Sequence, residues 1–359
     1  MRFVQHRLAG ILLLLVSLTG GCAGPRPGTG ADPSRSRQML IVLDGLRPDY
    51  LTPQLMPALS ALGQRGVVMT RHHAVFPTVT RVNASSIATG AYPEAHGLLG
   101  NAVFVPAVDP ARFFTTADRD NLLRVEAAGL PLLTVPTLPE VLEAAAGQRL
   151  LVASAGSSGS AYLLNHTGSA GATLHYEFGR PETLYAEALD HLGAVPDADT
   201  PNHARNRRIV DALLDVGLPA VDPAVTVLWL SDPDTTAHAH GIGHPLTVEA
   251  LFRLDAEIAL VATGPDLKAG VRIATPTGNV DLAPTFLHLL GVDVPPTMQG
   301  RVLRDALRNE AGAEPVSAEM TEVTVRSADG SYTLTAVLSV ADGRTYLDYT
   351  TVERRESQR

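Results

Sequence analysis

Two uninterrupted apolar runs constrain this chain more than any other feature. "QMLIVLDG" sets Met39 to Leu43 directly before Asp44, and "AVTVLWLSDPD" sets a second run before Asp232 and Asp234. A short apolar run without polar alternation reads as a strand covered on both faces, which is the signature of a parallel sheet flanked by helices. Helical patterns separate the strand patterns. "PQLMPALSALGQRG", "TLPEVLEAAAGQ", "PETLYAEALDHLG", "ARNRRIVDALLDVG", "PLTVEALFRLDAEI" and "VDLAPTFLHLLG" alternate with "VVMTRHHAVF", "RLLVASAG", "ALVATGPDL" and "VRIATP". That alternation predicts a doubly wound α/β sheet with helices on both faces. From Glu319 on, "EMTEVTVRSADGSYTLTAVL" and "GRTYLDYTTVER" alternate in polarity around turn signals and predict an antiparallel hairpin with an edge strand.

The chain has 359 residues, of which 45% are hydrophobic and 18% charged, so it can bury a sizeable core and is not a disordered polymer. Its formal charge of −9, with no basic patch, argues against nucleic-acid binding through phosphate neutralisation.

The first 21 residues read as a leader outside the fold. Arg2 and Arg7 precede the short apolar stretch "LAGILLLLVSLTG", and Cys22 follows as the only cysteine. A lone cysteine permits no intramolecular disulfide, and its place after "LTGG" resembles a bacterial lipoprotein signal with Cys22 as the lipidated residue. Residues 22–37 read as a Pro/Gly/Ser-rich tether and 38–359 as one domain. The expected location is the bacterial cell envelope, lipid-anchored in the periplasm or at the outer surface, with plain secretion as the alternative.

Chemistry-bearing residues cluster at strand ends. In open α/β sheets functional groups gather beyond the carboxyl ends of the strands, where Asp44 and Asp234 both fall. "SDPDTTAHAHGIGH" adds His238, His240 and His244, and Asp234 with His238 has the four-residue spacing of two metal ligands on one helical turn. Either aspartate could equally be a turn former or helix cap. Thr80 opens the helix "RVNASSIATG", which Gly90 closes. It could cap that helix, or serve as a nucleophile where free N–H groups attract an anion.

"LIVLDGLRPDYL", "FPTVTRVNASSIATGAYPEAHGLLGN", "DPDTTAHAHGIGH" and the late segment "TPTGNVDLAPTFLHLLGVDVPPTMQGRVLRDAL" together resemble the type I phosphodiesterase/nucleotide pyrophosphatase branch of the alkaline phosphatase superfamily. The resemblance implies an alkaline-phosphatase-like sandwich, with a mostly parallel central sheet between helices. It implies two divalent cations, expected to be zinc, clamping a phosphoryl group about 4 Å apart. It makes Thr80 the nucleophile, with Asp44 and Thr80 on one ion and Asp234 and His238 on the other. Asn101 becomes a donor to the phosphoryl oxygen, Asn83 a structural residue and His96 a loop organiser. The substrate implied is a small phosphorylated molecule, a nucleotide or other phosphodiester. A sulfatase reading is disfavoured, because the only cysteine lies in the leader region.

The family pattern also holds an Asp-His pair in an "SDHG"-type motif and a further "HG" histidine, and neither occurs between His238 and Gly264. "LFRLDAEIALVATGPDL" passes from helical spacing to strand character without a turn residue. The expectation is an internal truncation near 257–262 that removes a central strand and three ligands. His240 and His244 are the only local replacements. Two alternatives to a metal-dependent hydrolase follow: an inactive member that binds an anion or a partner, and a truncated product without function.

Overall fold

The structure, a computed structural model, describes residues 12–18 as backbone, and residues 37–259, 267–308 and 316–354. Its centre is a six-stranded sheet. The strands are β1 (Leu12–Leu18), β2 (Arg37–Leu43), β3 (Leu150–Ser154), β4 (Ala172–His175), β5 (Gly179–Arg180) and β6 (Val225–Leu230), in the order β1-β2-β6-β3-β4-β5. The inner four run parallel, while β1 and β5 are antiparallel edges.

Residues of β2 alternate between two cores, because successive side chains on a strand leave opposite faces. Met39, Ile41 and Leu43 join Leu228, Leu230, Leu251 and Leu254 on one face. Leu40 and Val42 join Val227, Trp229, Leu142 and Phe286 on the other. This explains the uninterrupted apolar runs: both sides of the sheet are roofed by helices. On the first face lie α1 (Pro57–Arg65), α3 (His203–Asp211) and α5 (Pro245–Ala259); on the second, α2 (Thr80–Thr89) and α6 (Leu282–Leu289).

Two expectations need correction. "VVMTRHHAVF" is not a strand of the central sheet. It splits into Val67–Met69 and His72–His73, which pair in parallel with Val271–Ile273 and Thr277–Gly278. The polar run Arg71, His72 and His73 could not sit in a sheet roofed on both faces by apolar helices, and it finds Asp348, Thr277 and Asn279 instead. The backbone of Leu12–Leu18 lies along the outer edge of β2, pairing Leu12 with Leu43. A fully buried strand with an open edge leaves backbone groups unpaired, and an extended apolar segment satisfies them. Finally, "VRIATP" and "VVMTRHHAVF" pair with each other rather than extending the main sheet. Cys22, most of the tether and part of the expected truncation point near 257–262 lie outside the described residues. Among the described residues no helix is long and apolar enough to cross a membrane.

The C-terminal segment forms a separate antiparallel sheet of β7 (Ala318–Arg326), β8 (Tyr332–Ala341) and β9 (Arg344–Arg354), as its alternation predicts. It is tied to the His72–His73 strand through Asp348, which accepts from His73 Nε2 at 2.7 Å and from Arg71.

Helix α5 is anchored by charge as well as by apolar packing. Asp255, only 4% exposed, accepts from the N–H groups of Ala58 and Leu59, each at 2.8 Å. These donors have no partner within their own helix, so the carboxylate caps α1 across the interface. Replacing Asp255→Ala is expected to cost about 1–2 kcal/mol by leaving buried donors unsatisfied. Urea unfolding of the two proteins measures it; an unchanged midpoint would show that the cap carries no stability.

Candidate functional site

The carboxyl ends of β2 and β6 meet at a cleft of about 480 Å³ lined by Asp44, Thr80, Arg81, Tyr176, Arg205 and Asp234, among others. Parallel register decides this meeting. Leu43 pairs with Leu230, and the Asp44 N–H donates to Leu230 O at 3.1 Å. The Asp234 N–H then donates to Asp44 O at 3.0 Å, so the start of α4 (Asp234–His240) is stitched to the tip of β2. Gly45 makes the approach possible. Its φ is +72°, and a Cβ there would stand 2.8 Å from both Cα and Cβ of Asp234.

Two carboxylates brought together in a buried place repel and resist ionisation. Burial, and then the neighbouring Asp234 charge, push Asp44 up to about 7, against the Trp229 Nε1 hydrogen bond at 3.2 Å, the Arg81 charge and the Gly45 backbone hydrogen bond, which favour its anion. Burial also raises Asp234, opposed by His238 and Arg81. Arg81 is drawn the opposite way: burial lowers its pKa while Asp44 and Asp234 hold it charged. Among the described residues the buried Arg81 Nε has no hydrogen-bond partner.

Thr80 is the first residue of α2; the N-cap position falls to Val79, whose side chain cannot cap. The capping role considered for Thr80 is therefore not the one it takes. Among the described residues no hydrogen bond engages its hydroxyl, which lines the cleft at the positive end of a ten-residue helix. Asn101 does not line the cleft. Its Oδ1 accepts from the Arg81 N–H at 3.1 Å and so takes one of the free donors of α2.

The structure thus brings together Asp44, Thr80 and Asp234. His238 sits one turn from Asp234 with its Nε2 3.5 Å from Oδ1, but the ring is 82% exposed. His240 bonds Thr200 Oγ1 at 2.9 Å and stacks on His244 with centroids 5.1 Å apart, so neither ring lines the cleft. Among the described residues no group of three or more His, Cys, Asp or Glu is placed to hold one metal ion. A catalytic zinc takes three protein ligands and an open position. The donor set does not fit a two-ion clamp.

Asn83 and His96 hold the loop around α2. Buried Asn83 bridges the Val75 backbone and Asn279. His96 bonds Ser86 Oγ at 3.0 Å, and burial lowers its pKa to about 4, which keeps it neutral. Sequence reasoning missed Arg81, Tyr176 and Arg205. Arg81 had a signal, since it follows Thr80 in the quoted motif. Tyr176 and Arg205 had none; their guanidinium-to-ring stacking, 4.2 Å to the centroid, arises from segments far apart in sequence.

The sequence profile of the family described as type I phosphodiesterase/nucleotide pyrophosphatase matches residues 39–268. The chain belongs to this family. Ectonucleotide pyrophosphatase/phosphodiesterase family member 1 of Rattus norvegicus is 25% identical over 229 residues, covering 63% of this chain and 21% of the relative. Bis(5'-adenosyl)-triphosphatase enpp4 of Mus musculus is 33% identical over 108 residues, covering 30% of this chain and 24% of the relative. The chain therefore spans about a fifth to a quarter of the length of these curated relatives. A solved phosphonate monoester hydrolase from Silicibacter pomeroyi aligns over 89% of this chain and 88% of its own, at 15% identity and a TM-score of 0.49.

Two outcomes are expected at the strand tips. The folded pKa of Asp44 lies above its unfolded value, so its contribution is present below about pH 4 and is lost as pH rises towards 7. Asp44→Asn removes the buried charge and is expected to stabilise the metal-free chain by roughly 1–3 kcal/mol at pH 8 and little at pH 4. Thermal unfolding at the two pH values measures this; equal effects at both would refute the buried-charge argument. Gly45→Ala should destabilise the chain at either pH, because the added Cβ meets backbone that cannot yield.

Proposed function

We propose that this chain handles phosphate esters in the Thr80 cleft, with phosphoester hydrolysis through the Thr80 hydroxyl as its reaction. The observation that carries this reading is the uncommitted Thr80 hydroxyl at the positive end of α2, in a cleft that Arg81 also lines. Phosphoryl oxygens would be drawn by the helix N-terminus and by Arg81. The Thr80 oxygen would attack phosphorus and expel the alcohol, and water would then release phosphate from the threonine. The hydroxyl proton would pass to a cleft carboxylate, Asp44 or Asp234. Family membership supports the reaction class, and the relatives' names point to small phosphorylated substrates.

A second reading is binding without turnover. It is favoured by the short donor set and by Asn101, whose carbonyl is spent on the Arg81 N–H rather than leaving that donor for substrate. The two readings part in one set of measurements. Hydrolysis of a bis-nitrophenyl phosphate, with and without added zinc, is expected to fall to background in Thr80→Ala. Binding of inorganic phosphate is expected to weaken about tenfold in Arg81→Ala, the loss of one charge-assisted contact. Phosphate binding with no turnover in the parent chain selects the second reading, and the absence of both refutes the cleft as an anion site.

We also propose a lipid-anchored place in the cell envelope, supported by the apolar run before Cys22. Cys22→Ser should move the protein from the membrane to the soluble fraction; an unchanged distribution would refute the anchor.

A further inference from the structure

Among the elements whose exposure is described, the most exposed is β7. All nine of its residues are exposed, and it is an edge strand of the C-terminal sheet. An open edge with apolar side chains is a template for pairing unless charge, proline or a bulge blocks it. β7 has no proline and pairs regularly with β8 along its length. Its only charges are Glu319, Glu322 and Arg326.

Two of those charges, Glu322 and Arg326, are arranged for self-pairing. An antiparallel two-fold centred on Thr324 sets Thr324 opposite Thr324, Val323 opposite Val325 and Glu322 opposite Arg326, each of the last two pairings occurring twice. Opposed residues share a face in this register, as antiparallel pairing requires. Centring instead on Glu322 would place two glutamates face to face, and centring on Val323 would place Arg326 against Met320. Neither Glu322 nor Arg326 has an ion-pair partner among the described residues.

The backbone agrees. The Ser327 N–H donates to Tyr332 O at 2.9 Å, which continues the β7–β8 ladder beyond Arg326. By the alternation of an antiparallel ladder, Glu322, Thr324 and Arg326 turn their N–H and C=O groups outward. Val323 and Val325 would then form the closely spaced pairs, where side chains approach best. The side chains also continue an existing row. Val325 lies opposite Leu334, and Leu334 opposite Val352, with Val325 59% and Val352 47% exposed. Pairing extends that row through Val323 of the second copy, 47% exposed in the single chain, to its Ala336 and Thr350.

We propose that β7 is a homodimerisation edge, joining two copies of this chain into a continuous six-stranded antiparallel sheet centred on Thr324. The contact is isologous, so it closes on itself and does not propagate into a filament. Charge exchange tests it, using surface positions that leave the fold intact. Sedimentation of the parent chain is expected to show a dimer at about 100 µM. Glu322→Arg and Arg326→Glu should each weaken it by about tenfold or more through like-charge opposition. The double exchange Glu322→Arg/Arg326→Glu should restore it. A monomeric parent at that concentration, a dimer indifferent to both single changes, or a double variant that stays monomeric would each overturn the proposal.

Discussion

The parallel pairing of β2 with β6 is the constraint on which the rest of the site depends. Both strands are covered on both faces, so neither can slip by one residue without turning its apolar set the wrong way. Fixed register carries Asp44 to Leu230 O and Asp234 to Asp44 O. Two carboxylates are therefore held together by backbone geometry rather than by any attraction between them. The repulsion is then met locally by the Trp229 indole on one side and Arg81 on the other.

That arrangement gives the cleft a particular electrostatic character. Its negative charge is buried and thinly compensated. Its positive features are the end of α2, Arg205 and the partly buried Arg81 guanidinium, whose Nε has no hydrogen-bond partner among the described residues. Asp234 lines the cleft, while the His238 ring stays in solvent. The histidines crowding Ser231 to His244 follow helix geometry. His238 falls one turn from Asp234, and His240 turns to Thr200 and His244. Abundance of imidazole in sequence did not become a cluster in space.

Much of the fold was legible because burial on two faces leaves a strong mark. "MLIVLDG" and "TVLWLSD" could not be mistaken for half-solvated strands, and their acidic ends located Asp44 and Asp234 at the cleft. The Thr80 helix was legible from its Gly90 stop, which takes φ of +61°. Other elements left weaker marks. β4 was missed because "ATLH" is four residues long and mixes small and polar side chains. "VVMTRHHAVF" was read as one strand because its apolar ends hid the polar centre that splits it.

The sequence by itself determined the parallel α/β class, the strand tips that carry Asp44 and Asp234, the helix that begins at Thr80 and the antiparallel C-terminal strands. These follow from periodicity and from residues with restricted backbone conformations, which act over a few neighbours. Only the tertiary structure decided the company those residues keep. It brought Arg81, Tyr176 and Arg205 into one cleft, left His238 outside it, capped α1 with Asp255 and exposed all of β7. Each depends on long-range packing of segments tens to hundreds of residues apart, and no local pattern encodes which of them will meet.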